Sequence, residues 1–149
     1  YDKEDYPSAA GQSMDKQLKW LEKELSNAHE DWVVVVGHHP VYAFTDKDES
    51  ERSDLQKRLL PILERHNVNM YICGHIHNFQ HIRPEGSRID FIVNSAASLS
   101  RTKVGDVEGT VFTSGEAGFS ILRCDKDHIQ LDMISPKGKS IHSVCQSAR

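Results

Sequence analysis

Two short stretches concentrate the side chains able to do chemistry: Val36-Gly37-His38-His39-Pro40 and Cys73-Gly74-His75-Ile76-His77-Asn78. Each follows an apolar run, so each Gly-His step falls where a strand should stop. In open α/β sheets, ligands bind just beyond the carboxyl ends of the strands. Neutral imidazole suits zinc, iron and related transition metals better than calcium or magnesium. In an extended segment the rings of His75 and His77 lie on one side of the chain, roughly 6–7 Å apart along it. That spacing suits ligands of two neighbouring metals better than a chelate on one. A single His-x-His or Gly-His-His-Pro says little, but two Gly-His steps closing two strands of one unit point to a metal centre. His38, His75 and His77 are its candidate ligands. Asn78, His81 or a backbone carbonyl are candidates to orient the rings. His39 reads first as a hydrogen-bonded loop residue and second as a contact to substrate.

These residues need elements to hold them. From Ser13, a plausible N-cap, Leu18, Leu21, Leu25 and Ala28 recur at helical spacing with Trp20 alongside. Trp32 to Val36 is a continuous apolar run, the pattern of a central strand buried on both faces. The loop with Asp46, Asp48, Glu49 and Glu51 reads as solvated, ahead of a helix opening on a Ser53/Gln56 capping box and kinked at Pro61. A second strand over 69–73 completes a βαβ unit, whose strands run parallel. Beyond Phe79 the texture becomes antiparallel, with strands over 90–94, 118–124, 128–134 and 140–145. Residues 100–117 read as a polar loop able to form a flap over the site.

Composition bounds the answer. The chain has 149 residues, 27% of them charged, and a net charge of −4. That length fits one domain. Charges of both signs are scattered, which argues against a nucleic-acid or anionic-membrane surface, and no run reaches the ~20 apolar residues of a membrane span. Three cysteines are too few for a disulfide scaffold. Cys73 reads as a buried thiol pointing away from His75, and Cys124 could pair with Cys145 if their strands are neighbours. Tyr42 and Phe44 read as core or as the mouth of the site. His29, His66, His128 and His142 read as ordinary surface residues.

Taken together, the motifs resemble the calcineurin-like metallophosphoesterases, most closely the tartrate-resistant purple acid phosphatases. The resemblance rests on Gln17-Leu18-x-Trp20-Leu21, Gly37-His38-x-Pro40-Val41 and Leu59-x-Pro61-x-Leu63. It continues through Tyr71-x-Cys73-Gly74-His75-x-His77-Asn78-x-Gln80, Gly118-Phe119 and Ser135-x-x-Gly138-Lys139-Ser140. It implies the C-terminal half of a four-layer α/β/β/α sandwich that hydrolyses phosphate monoesters at a dinuclear centre. On this reading residues 1–12 are an exposed lead-in, 13–78 carry the helix, the βαβ unit and the metal turns, and 79–149 are antiparallel strands. His38 and His75 then correspond to ligands of the exchangeable divalent ion, and His77 to a ligand of iron, whose partner would be zinc, iron or manganese.

The family's carboxylate, Tyr and Asn ligands have no counterpart here. The only Gly-Asp pair, Gly105-Asp106, lies after the metal strands. The resemblance therefore implies an N-terminal half, in cis or as a separate processed chain, that supplies them. The chain, which begins with Tyr1, reads as processed or excised, and little activity is expected from it alone. Resemblance alone implies a secreted, lysosomal or periplasmic setting. Two other readings stand beside the phosphatase: a phosphodiesterase or nucleotidase of the same superfamily, and a non-catalytic module that binds metal or a partner.

Overall fold

The computed structural model describes residues 11–97 and 99–148, so most of the expected lead-in over 1–12 lies outside the described residues. Helix α1 (Met14–Ser26) starts where the sequence places it, with Ser13 Oγ accepting the Lys16 amide at 3.4 Å. Its Leu25 is buried and Leu18 and Leu21 pack on the core, whereas Trp20 stays 61% exposed.

Strand β1 (Val34–Val36) leads through α2 (Glu49–Arg58) and α3 (Leu60–Arg65) into β2 (Met70–Cys73), which runs parallel to β1. The second helix starts earlier than the capping box suggests. Asp48 Oδ1 accepts the Ser50 amide at 2.8 Å, and Ser53 sits inside the helix with its hydroxyl bonded back to the Ser50 carbonyl. Two acidic residues of the expected loop, Glu49 and Glu51, thus become helical. Pro61 has no amide hydrogen to donate, and the helix breaks just ahead of it, between α2 and α3.

Strands β3 (Phe79–Ile82), β4 (Asp90–Asn94) and β5 (Thr110–Ser114) complete a five-stranded mixed sheet in the order β1-β2-β4-β3-β5. Three expectations change here. Among the described residues the Trp32–Val36 run is not central: β1 ends the sheet they form, and Val36 is 75% exposed. The run is apolar because Val35 and Val34 alternate between cores on opposite faces of the sheet. The region after Phe79 is not purely antiparallel, because β4 pairs parallel to β2 and antiparallel to β3. Residues 100–117 are not one loop, since Thr110–Ser114 pairs with β3.

A second sheet, β6 (Phe119–Cys124), β7 (His128–Ile134) and β8 (Ser140–Ser147), is antiparallel in the order β6-β7-β8. Two apolar clusters cement the layers. Leu55, Leu59, Leu63, Tyr71, Phe91 and Val93 join helices to one face of the mixed sheet. Met70, Phe79, Ile92, Leu131, Met133 and Val144 join its other face to the second sheet. The described residues thus form three layers, α/β/β. Cys124 and Cys145 lie on β6 and β8, on opposite sides of β7, and both are free. Two strand spacings, about 9.5 Å, exceed disulfide reach. Cys73 is buried in the helix-side core, which pushes its thiol well above the ordinary cysteine range. No helix among the described residues is long and apolar enough to cross a membrane.

A polar clamp ties the sheets together. Asp90, fully buried, accepts from Arg83 Nε at 2.7 Å, Gln146 Nε2 at 2.6 Å and His81 Nε2 at 2.7 Å. His81 Nδ1 lies 2.9 Å from His142 Nε2, and the His142 ring stacks on Phe112. His142 is therefore part of an inter-sheet link, not an ordinary surface residue. Burial raises the Asp90 carboxyl, but the bonds from His81, Arg83 and Gln146 together hold it below the ordinary 3.8. A carboxyl depressed in the folded state stabilises above its unfolded pKa and loses that contribution as pH falls. Asp90→Ala should cost about 2–3 kcal/mol, since it strands a buried imidazole and a half-exposed guanidinium. Urea denaturation at pH 7 checks the loss. Repeated at falling pH, it should show wild type losing stability below 3.8 and the variant losing less.

Gly37 closes β1 directly beneath the Tyr71 ring, whose hydroxyl donates to the His39 carbonyl at 2.8 Å. An added Cβ would collide with the Tyr71 hydroxyl and ring. Gly37→Ala is expected to destabilise by about 1–3 kcal/mol through overpacking. Thermal melts report the loss, and displaced His38 and His39 ring signals in NMR report the damage to the turn.

Candidate metal centre

The parallel register of β1 on β2 aligns both Gly-His steps. Val36 faces Ile72, and the ladder continues beyond the strands: Gly37 N–H donates to Ile72 O, and Gly74 N–H donates to His38 O, both at 3.0 Å. The two turns are thereby stitched backbone to backbone. His38 Nε2 and His75 Nδ1 come within 3.2 Å, and the His39 ring centroid lies 4.2 Å from that of His75. One ligating nitrogen from each of His38, His39 and His75 falls within 4.8 Å of the others. Four nitrogens around a zinc ion at about 2.0–2.1 Å stand roughly 3.4 Å apart, so modest side-chain movement would place these three on one ion.

The geometry around His75 is not an extended strand. Ile76 N–H donates to the Gly74 carbonyl at 2.8 Å, which closes a three-residue turn with His75 at φ 68°. His77 also lies in the left-handed region, at φ 64°. Such φ values in residues with a Cβ cost about 1–3 kcal/mol each and cluster at functional sites. The expectation that His75 and His77 project to one side of a strand therefore fails, because the chain turns between them. His77 stands apart from the three-histidine cluster, held through its backbone: its amide donates to Ser95 Oγ and its carbonyl accepts from Arg101, each at 2.7 Å. Its Nδ1 is buried without a hydrogen-bond partner among the described residues. The three clustered ring nitrogens and, apart from them, the buried, unpaired Nδ1 of His77 are donors that fit a metal-binding role.

Sequence reasoning reached these histidines but missed what surrounds them. Glu51, from the first turn of α2, places Oε2 at 3.1 Å from His75 Nε2 and Oε1 at 3.9 Å from His39 Nε2. Lys47 Nζ also lies 3.1 Å from His75 Nε2. Of the residues expected to orient the rings, His81 is committed to Asp90, whereas Asn78 Oδ1 accepts from Gln80, which also bonds both backbone groups of Phe44, and Asn78 Nδ2 is buried with no hydrogen-bond partner among the described residues. Tyr42 packs edge-on against Phe91 at 4.8 Å, on the core side of its two readings. Burial lowers the basicity of His39, with Glu51 opposing, and burial also lowers that of His75, aided by neighbouring His39 and Lys47. Both rings are thus biased toward the neutral form that ligates metal.

Against known proteins, the profile of the calcineurin-like phosphoesterase family matches residues 2–79. The chain is 39% identical over 83 residues to pig tartrate-resistant acid phosphatase type 5, an alignment that covers 56% of this chain and 24% of that protein. The solved structure titled "GAP50 the anchor in the inner membrane complex of Plasmodium" superposes with a TM-score of 0.80 at 27% identity, over 91% of this chain and 43% of that one. A purple acid phosphatase from yellow lupin seeds shares the fold, with a TM-score of 0.71 at 18% identity over 93% of this chain and 28% of that one. The chain thus spans about a quarter of the acid phosphatase it matches. With the profile covering more than half of its residues, including both Gly-His turns, the chain belongs to the calcineurin-like phosphoesterase family.

Proposed function

We propose that this chain supplies the histidine half of a metal centre that hydrolyses phosphate monoesters. The observation that carries the reading is the convergence of His38, His39 and His75 at the carboxyl ends of two parallel strands. In this proposal His38 and His75 hold an exchangeable divalent ion and His77 holds its partner, with iron beside zinc, iron or manganese as the metal pair. Metal held there supplies Lewis acidity that neutralises phosphoryl charge and acidifies water. His39, neutral and beside Glu51, donates a hydrogen bond to a phosphoryl oxygen. The carboxylate, Tyr and Asn ligands come from an N-terminal half of the same protein, in cis or as a processed chain, in an exported or lysosomal setting.

A second reading is supported by the likeness to the Plasmodium protein described as an anchor: the module binds a partner and turns nothing over. Metal content and turnover of the complete protein decide between them. Under the phosphatase reading, p-nitrophenyl phosphate is cleaved faster than a diester, and His75→Ala lowers kcat at least a hundredfold with loss of one metal equivalent. Residues 1–149 alone should show little turnover. A complete protein that is folded, metal-free and inactive supports the anchor. Preference for the diester supports a phosphodiesterase.

A further inference from the structure

His75 Nε2 sits within 3.1 Å of two groups that ask opposite things of it. The Glu51 carboxylate is only an acceptor, so its contact needs a proton on Nε2. The Lys47 ammonium is only a donor, so its contact needs a bare Nε2. A neutral imidazole carries one ring proton, and the two contacts therefore belong to different tautomers. With the proton on Nε2, the Nδ1 lone pair faces His38 Nε2 at 3.2 Å, inside the three-histidine cluster. With the proton on Nδ1, that N–H points at His38 and shuts the same nitrogen off from any cation.

We infer that Glu51 is a positioning residue that fixes the metal-binding tautomer of His75, with Lys47 as the competing donor that favours the closed one. The inference rests on the metal-centre reading above and adds Glu51 and Lys47 to it. Its local construction supports it. Asp48 caps α2, which places Glu51 third in the helix, where a glutamate often bonds back to the cap amide. Here both carboxylate oxygens face imidazoles, of His75 and His39. The ring and its carboxylate are partly shielded, with side-chain exposures of 16% and 39%. A carboxylate behind a ligating imidazole fixes ring orientation and raises ligand basicity, and its removal commonly costs 10–100-fold in metal affinity.

Two measurements on the complete, metal-stripped protein test this. Long-range nitrogen–proton NMR reads the His75 tautomer, and calorimetric titration with zinc reads affinity. Wild type should carry its proton on Nε2. Glu51→Ala should shift the proton toward Nδ1 and weaken one zinc equivalent by roughly 10–100-fold. Glu51→Gln keeps an acceptor carbonyl and should retain the Nε2 tautomer, recovering part of the affinity. Lys47→Met should keep that tautomer and bind zinc at least as tightly as wild type. The inference is overturned if wild type is protonated on Nδ1, or if Glu51→Ala leaves tautomer and affinity unchanged. Folded wild type that binds no zinc at all would instead remove the metal-centre reading itself.

Discussion

Everything at the site depends on parallel hydrogen bonding between β1 and β2 that does not stop at the strand ends. Gly37 and Gly74 extend the ladder by one bond each, and the second lands on the His38 carbonyl. Because parallel bonds are slanted and evenly spaced, one register fixes the relative height of both turns. A slip of a single residue would move every side chain to the opposite face. The alternation of Val34 and Val35, and of Met70 and Tyr71, between two separate cores makes such a slip costly. Burial thus protects the register, and the register delivers the histidines.

The turns themselves are not relaxed. His75 and His77 hold left-handed backbones that their side chains disfavour, and His77 keeps a buried ring nitrogen unpaired among the described residues. Those costs are carried by a rigid frame: the Gln80 amide locked to Phe44 on both sides, Ser95 beneath the His77 amide, and the Asp90 clamp between the sheets. A frame of that kind keeps donors at fixed positions even when they repel or fail to pair. That is the condition for preorganised metal binding.

How much of this was legible follows from the range of each signal. Local signals worked. The Ser13 cap, the Gly-His strand ends and the strands over 90–94 and 128–134 are written in contiguous residue patterns, and the structure has them there. Strand β3 was hidden because its four residues are all buried, which erases the alternation that marks a strand. Strand β5 is short, polar at most positions and visible only through its pairing to β3. The position of β1 at the end of the sheet that the described residues form could not be read, since two-sided burial of two valines looks the same at an edge as in the centre. Glu51 was missed because an acidic run ahead of a helix reads as solvent-facing. Only the Asp48 cap, which starts the helix early, turns that carboxylate toward the histidines.

Charge sets what these residues can hold. Three imidazoles, neutral when they ligate, bring no charge of their own. The Glu51 carboxylate contributes one negative charge, and the Lys47 ammonium, at the same 3.1 Å from His75 Nε2, contributes one positive. Close to the cluster the protein's charge is therefore near balance, which is compatible with one divalent ion and too little for two multivalent ones. Two such ions within a few ångströms repel each other strongly, and only carboxylates placed between or beside them reduce that repulsion at short range. Glu51 is the carboxylate that pairs with the cluster among the described residues, through His75 and His39. A dinuclear centre built on these histidines needs more negative charge than Glu51 brings.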